Sequence, residues 1–138
     1  MIVVAGLSPA WQQVLVVDAF QPGAANRAQE AYWCGSGKVL NVAVALHHLS
    51  GGRPDQVLTL STLGGAAYDA IEEELSVLGV SRRWVRTQSP TRVCTTLVDR
   101  STGLVSELVE NAGLITDAEL AEFETKFAEV AGTYDHQP

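Results

Sequence analysis

No apolar run in this chain approaches the roughly 20 residues that a membrane-crossing helix needs, so a bilayer partner is not expected. Met1 passes directly into Ile2-Val3-Val4-Ala5-Gly6-Leu7 without the basic segment that opens a signal peptide, a stretch expected to be a first strand and not a leader. Cysteine is scarce. Cys34 and Cys94 are the only two among 138 residues, too few for a disulfide framework and more consistent with reduced thiols in a cytoplasmic setting. Basic residues are outnumbered, nine Lys and Arg against sixteen Asp and Glu, for a net charge of −7. That balance argues against a general nucleic-acid binder, because no surface for neutralising a run of phosphates follows from it. A small phosphorylated metabolite needs only a few local cations and is not excluded. Internal repeats and low-complexity tracts are also missing. What is present is a globular composition, 46% hydrophobic and 18% charged, in a chain long enough for one domain with a real core.

Ile2 to Leu7 is a continuous apolar run and predicts a strand buried on both faces. Gln12 to Val17 and Arg27 to Trp33, separated by the Phe20-Gln21-Pro22-Gly23 turn, predict a two-stranded ribbon. Lys38 to Leu49 predicts a helix with Val39, Ala43 and Leu46 on its buried stripe beside Val42 and Leu49, stopped by Ser50-Gly51-Gly52. Val57 to Leu63 predicts a strand broken by Gly64-Gly65. A second helix places Tyr68, Ile71, Leu75 and Leu78 at helical spacing, with Glu72, Glu73 and Glu74 on a solvated face and Gly79 at its end. Arg82 to Arg86 is a short strand. Thr91 to Asp99 and Leu104 to Val109 predict a hairpin around Arg100-Ser101-Thr102-Gly103. Thr116-Asp117-Ala118-Glu119 is a capping box, opening a helix whose apolar stripe is Leu120, Phe123, Phe127 and Val130. Buried strands alternating with helices predict an α/β fold with a parallel sheet. The two polar ribbons are expected to pair with each other as a small lid over one end of it. Ligands of open α/β sheets sit beyond the carboxyl ends of the strands, where such a lid would cover them.

One stretch carries candidate chemistry: Trp33-Cys34-Gly35-Ser36-Gly37-Lys38-Val39-Leu40-Asn41. It is not a P-loop, because Tyr32 and Trp33 stand where the first glycine belongs and Val39 replaces the magnesium-binding hydroxyl. A dinucleotide fingerprint fails as well, since its third small residue is missing at position 40. What remains is a short glycine-rich bend opening into a helix. Glycine admits a ligand close to the backbone, and the helix start offers unpaired N–H groups to an anion or polarised oxygen. The Asn41 amide, one turn inside, can both donate to and accept from a sugar hydroxyl. A tight strand-to-helix turn with an incidental asparagine accounts for the same residues. The other candidates are bland. His47 and His48 are adjacent on a helix and do not face one metal. Cys34 and Cys94 can pair only if their Cα atoms lie close. Trp11, Trp33 and Trp84 are packing residues of lid or core, with Trp11 able to line a pocket.

Taken in order, five stretches resemble a known signature: Ser8-Pro9-Ala10-Trp11-Gln12, Asn26-Arg27, Gly35-Ser36-Gly37-Lys38-Val39-Leu40-Asn41-Val42-Ala43, Thr91-Arg92, and Ser106-Glu107-Leu108-Val109-Glu110-Asn111-Ala112-Gly113. They are similar to the N-terminal motifs of the ribokinase-like sugar kinases, specifically the phosphofructokinase B branch. That branch shows Asn-Pro-Ala-Leu-Asp, then Asn-Arg, then Ala-Gly-Gly-Lys-Gly-Ile-Asn-Val-Ala, then Thr-Arg and a Thr-Glu-rich strand ending in Gly. The likeness in order and spacing covers nearly the whole chain. It implies a partial ribokinase-like parallel sheet with flanking helices and a β lid, or clasp, formed by about residues 12–33 and 91–110. It implies an ATP-dependent, magnesium-assisted transfer to a hydroxyl of a sugar or sugar phosphate. By resemblance the substrate contacts are Gln12, Ser36, Gly37, Lys38, Asn41, Gly64 and Arg92, with Arg27 and Glu107 as further candidates. Arg92 would reach from the lid to a substrate phosphate, which a guanidinium fork suits; a solvated lid arginine is the alternative. Gly64-Gly65 resembles a loop whose backbone comes close to the sugar.

The departures matter equally. Gln12 stands where the branch has an Asp for sugar hydroxyls, so a charged acceptor is replaced by a weaker one. Ser36 replaces a glycine, and so does Val39, whose branched side chain restricts the backbone and can fill ligand space. The branch's Gly-Ala-Gly-Asp motif, with its catalytic base, and its ATP pocket belong to a second half with no counterpart here; Asn111-Ala112-Gly113 runs on into Leu114. Phosphoryl transfer depends on positioning and electrostatic stabilisation. The expectation is therefore the N-terminal part of a kinase domain, inactive alone, with no catalytic or metal residue in 1–138 and with the ATP and magnesium sites elsewhere. Tyr134-Asp135-His136-Gln137-Pro138 resembles the entry to a next strand. The alternative is a truncated or degenerate non-catalytic module that binds a sugar or forms a homodimer through its lid edges. Gln12 and Val39 favour that alternative.

Overall fold

The computed structural model describes residues 1–132, so the expected strand entry at Tyr134 to Pro138 lies outside the described residues. The elements run β1 (Ile2–Gly6), β2 (Ala10–Val17), β3 (Glu30–Ser36), α1 (Lys38–Leu49), β4 (Val57–Gly64), α2 (Ala67–Val77), β5 (Ser81–Thr87), β6 (Val93–Asp99), β7 (Val105–Val109) and α3 (Asp117–Gly132). They form two sheets. A three-stranded parallel sheet has the order β1-β4-β5, and a four-stranded sheet has the order β3-β2-β6-β7. The expected α/β architecture with a second β layer is what forms.

β4 is the centre of the parallel sheet, and every one of its residues is buried. β1 is not buried on both faces as its apolar run predicts: Ile2 and Ala5 are exposed and Val4 is the one buried residue of the strand. Its outer edge has no neighbour among the described strands, and apolar composition marks a strand without fixing its place in the sheet. β5, on the opposite edge, carries Arg82, Arg83 and Arg86, the charged edge that discourages further pairing. Arg82 and Arg83 point to opposite faces because they are consecutive on a strand. Arg82 meets Glu72 of α2 and Arg83 meets Glu129 of α3, so α2 and α3 cover opposite faces.

α1 and α2 share one core, in which Val39, Leu40 and Ala43 pack with Val57, Leu63, Ile71, Leu75 and Val80. α1 has the predicted bounds but a different buried stripe. Val42 and Leu49 are 47% and 83% exposed, whereas His47 is only 3% exposed and takes a core position. The helix is apolar on almost every side, so periodicity alone does not select its face. α3 likewise buries Glu119 and Val130 and leaves Leu120 and Phe127 exposed. Its capping box forms as expected: the Thr116 N–H donates to Glu119 Oε2 at 2.8 Å and the Glu119 N–H to Thr116 Oγ1 at 3.2 Å.

In the lid, β2 pairs antiparallel with β3 and parallel with β6, joining the two predicted ribbons into one sheet. β6 and β7 form the predicted hairpin. β3 starts and ends about three residues later than its sequence pattern suggests, since Ala10 pairs with Ser36 at its far end. Arg27 therefore falls on the preceding loop and not on a strand. Gln12 pairs with Cys34 on one side and Cys94 on the other. Two strand spacings, about 10 Å, thus separate the cysteines, beyond the reach of a disulfide.

Candidate functional site

The bend between lid and helix consists of one residue, Gly37, at φ 87 and ψ 158. This conformation belongs essentially to glycine, and a Cβ there would stand 3.0 Å from the Ser8 carbonyl oxygen. The bend is held from below: the Gly35 N–H donates to Glu74 Oε2 at 2.6 Å. Glu74 therefore does not belong to a solvated face, and neither does Glu72, which accepts hydrogen bonds from Arg82 and Trp84. Burial, with the Glu74 charge adding to it, raises the pKa of the neighbouring Cys34 thiol.

Beyond the carboxyl end of β1 lies an open cavity of about 470 Å³, lined by Val4 to Ser8, Lys38, Val39, Val42 and Arg92. Its position obeys the rule for ligands of open α/β sheets. Val39 lies within the regular helix α1 and also lines the cavity. It is buried against β1, where a Cβ on Gly6 would come within 3.0 Å of the valine Cβ, so the small residue on the strand makes room for the branched one on the helix. The polar lining has two cations, Lys38 and Arg92, and no carboxylate. That donor set suits an anion and not magnesium, which takes oxygen ligands. Among the described residues no group of three or more His, Cys, Asp or Glu side chains could hold a metal ion, and no helix is long and apolar enough to cross a membrane.

Arg92 sits at the root of the lid. Its Nε donates to the Pro9 carbonyl at 3.4 Å and its own carbonyl accepts the Trp11 N–H at 2.9 Å. Arg92 also lines a small cavity, about 30 Å³ and enough for one water molecule, whose polar residues include Ser8, Thr62, Thr87, Ser89 and Thr91.

No protein-family model matches the sequence. Among solved structures, Escherichia coli phosphofructokinase-2 in complex with fructose-6-phosphate superposes with a TM-score of 0.84 at 21% identity, over 93% of this chain and 41% of that one. A possible 1-phosphofructokinase from Thermotoga maritima gives 0.83 at 20% identity, over 96% of this chain and 42% of the other. Thermotoga maritima ribokinase gives 0.65 at 28% identity, over 79% and 35%. This chain has the ribokinase-like fold. It spans about two fifths of the length of the phosphofructokinases it matches.

Within that ribokinase-like frame, the residues singled out from sequence fall into three groups, with Gly64 and Arg27 apart from them. Lys38 and Arg92 meet at the larger cavity. Ser36 and Asn41 form a separate pair flanking Gly37, with the Ser36 hydroxyl 3.5 Å from Asn41 Oδ1, and Asn41 does not line the cavity. Gln12 donates to Thr96 Oγ1 at 2.6 Å on the lid, where Thr96 stands opposite Glu107 in register. Gly64 is engaged otherwise: its N–H donates to Thr91 Oγ1 at 3.0 Å and its carbonyl accepts the Thr91 N–H at 2.9 Å. Arg27 is exposed on a loop that the Asn26 side chain ties to the Gln21 backbone. Sequence reasoning missed Glu74 and Glu119. A carboxylate three residues into a capping box signalled half of the second, and nothing local signalled the first.

Proposed function

We propose that this chain carries the sugar-phosphate-binding part and lid of an ATP-dependent phosphosugar kinase of the phosphofructokinase B type. The observation that supports this reading is that Lys38 and Arg92 both line one cavity at the carboxyl end of β1. The Escherichia coli structure that shares the fold was solved with fructose-6-phosphate, which makes a phosphorylated ketose the first ligand to try. In this reading Arg92 and Lys38 hold the substrate phosphate, the fork by directed hydrogen bonds and the ammonium as a point charge. Asn41, Ser36 and Gln12 address sugar hydroxyls, Gly37 lets the sugar approach the helix start, and the lid excludes water. Gly64 acts through the loop it holds, with Glu107 and Arg27 at the lid margin. In the whole domain the sugar hydroxyl would attack the γ-phosphate in line, its proton passing to a base as the bond to ADP breaks. ATP, magnesium and the base for that hydroxyl belong to the larger remainder of the fold, so the chain alone binds substrate without turning it over. A cytoplasmic setting with reduced thiols goes with this reading.

Calorimetry with fructose 6-phosphate, fructose 1-phosphate and fructose tests it, alongside coupled measurement of ADP. Phosphosugar binding in the micromolar range, weaker binding of fructose and no sugar-dependent ADP are expected. Equal, negligible affinity for all three sugars would overturn the assignment. A second reading, homodimerisation through the lid without catalysis, is favoured by one observation: Tyr32, Trp33, Leu104, Val105, Leu108 and Val109 are all exposed along its two outer strands and hairpin turn. Sedimentation of the same sample decides it, a dimer without sugar affinity supporting this second reading.

A further inference from the structure

A capping box needs only one carboxylate oxygen, and Glu119 uses both of its own. Oε2 accepts the N–H of Thr116, just ahead of α3, while Oε1 accepts the Gln88 N–H at 2.7 Å. The side chain is buried, with 7% of the residue exposed, unlike the usual capping glutamate at a solvated helix start. Gln88 is the first residue beyond β5, at the head of the loop that leaves the parallel sheet for the lid. The rest of that loop is held as closely. Ser89 Oγ donates to the Leu114 carbonyl at 2.7 Å, just ahead of α3. Thr91 exchanges two hydrogen bonds with Gly64. Gly65 and Gly113 make room for Pro90 and Ser89, where a Cβ would come within 2.7 Å and 2.5 Å. The next residue is Arg92, on the wall of the cavity.

We infer that Glu119 is a positioning residue for Arg92, its second oxygen anchoring on α3 the loop that presents the guanidinium to a substrate phosphate. This rests on the phosphate-binding role proposed above for Arg92. Both partners of the carboxylate are N–H donors. Glu119→Gln therefore keeps size and removes one acceptor, whereas Thr116→Ala weakens the cap without touching Gln88. Gln88→Pro removes the donor and leaves the capping box intact.

The test measures amide hydrogen exchange, the Arg92 Nε–H resonance and the dissociation constant for fructose 6-phosphate in each variant. In Glu119→Gln and Gln88→Pro, exchange at the Ser89, Thr91 and Arg92 amides is expected to rise at least tenfold and the Arg92 resonance to shift. Affinity should fall five- to tenfold while protection inside α3 is kept. Thr116→Ala should change affinity less than twofold. The inference is overturned if the first two variants keep wild-type protection at Ser89, Thr91 and Arg92, or if Thr116→Ala loses affinity equally, since helix stability would then be the cause. A wild-type chain that binds no phosphosugar refutes the binding assignment. Exchange and the Arg92 resonance then decide the anchoring by themselves, either way.

Discussion

The Arg82 guanidinium grips the Glu72 carboxylate with two parallel hydrogen bonds, Nη2 to Oε1 at 2.5 Å and Nε to Oε2 at 2.9 Å, tying edge strand β5 to helix α2. The Trp84 indole donates to the same carboxylate. Replacing Glu72 by Ala leaves a half-buried guanidinium and an indole N–H without their acceptor. Forked, charge-assisted bonds of this kind contribute about 1–3 kcal/mol, so urea denaturation of Glu72→Ala should show a loss of that size, with the melting temperature down by about 3–8 °C. An unchanged midpoint would mean that solvent replaces the carboxylate fully.

Acid should find the same contacts. Glu72 is held below its ordinary value of 4.5 chiefly by the Arg82 hydrogen bond, with Trp84 adding to it. Glu119 is lowered by the Thr116 and Gln88 backbone donors, and Asp99 is lowered from 3.8 first by the Ser101 hydroxyl and then by the Phe20 N–H. A carboxylate whose folded pKa is depressed adds stability that is complete above its unfolded value and is lost as pH falls through the folded one. Melting temperature should therefore hold steady from neutral pH to about 5 and fall progressively below about 4.5. Glu72→Gln should flatten that fall, a comparison that thermal melts between pH 3 and 7 make directly.

Gly37 should tolerate no side chain. Gly37→Ala puts a Cβ against the Ser8 carbonyl and the Ala10 N–H at 3.0 and 3.1 Å and asks alanine to adopt a glycine conformation. A cost of at least about 2–3 kcal/mol is expected, read as a lowered urea midpoint. Gly23, also at positive φ but with nothing near its Cβ position, should lose only about 1 kcal/mol on the same substitution.

At the cavity, Arg92→Lys keeps the charge and loses the fork. Phosphosugar affinity should weaken about tenfold, with fructose unaffected, whereas Lys38→Met should weaken it less because a point charge alone is removed. Calorimetry against the wild-type chain measures both, and equal losses for phosphorylated and free sugar would remove the phosphate from the argument.

Local signals in the sequence carried further than distant ones. Gly37 and Ser50 bracket α1, and its bounds follow from them. Its rotation does not follow, because Val39, Leu40, Val42, Ala43 and Leu46 offer several equivalent faces, and the one chosen buries His47. Thr116 and Glu119 announce their own reciprocal cap, but the second acceptor role of Glu119 depends on Gln88, 31 residues earlier. Glu74 meets Gly35 across 39 residues, so three adjacent glutamates read as a solvated surface when two of them are structural. β1 has the composition of a central strand and lies at the edge of the described sheet, a matter of which strands are its neighbours. Lys38 and Arg92 were joined in the sequence only by likeness to a known signature, and the fold brings them to the same wall.

Strand β2 runs between Cys34 and Cys94 and carries a redox consequence. With a full strand interposed, an oxidising environment cannot staple the lid to itself. A disulfide through Cys34 or Cys94 must therefore be made with a thiol of a separate molecule.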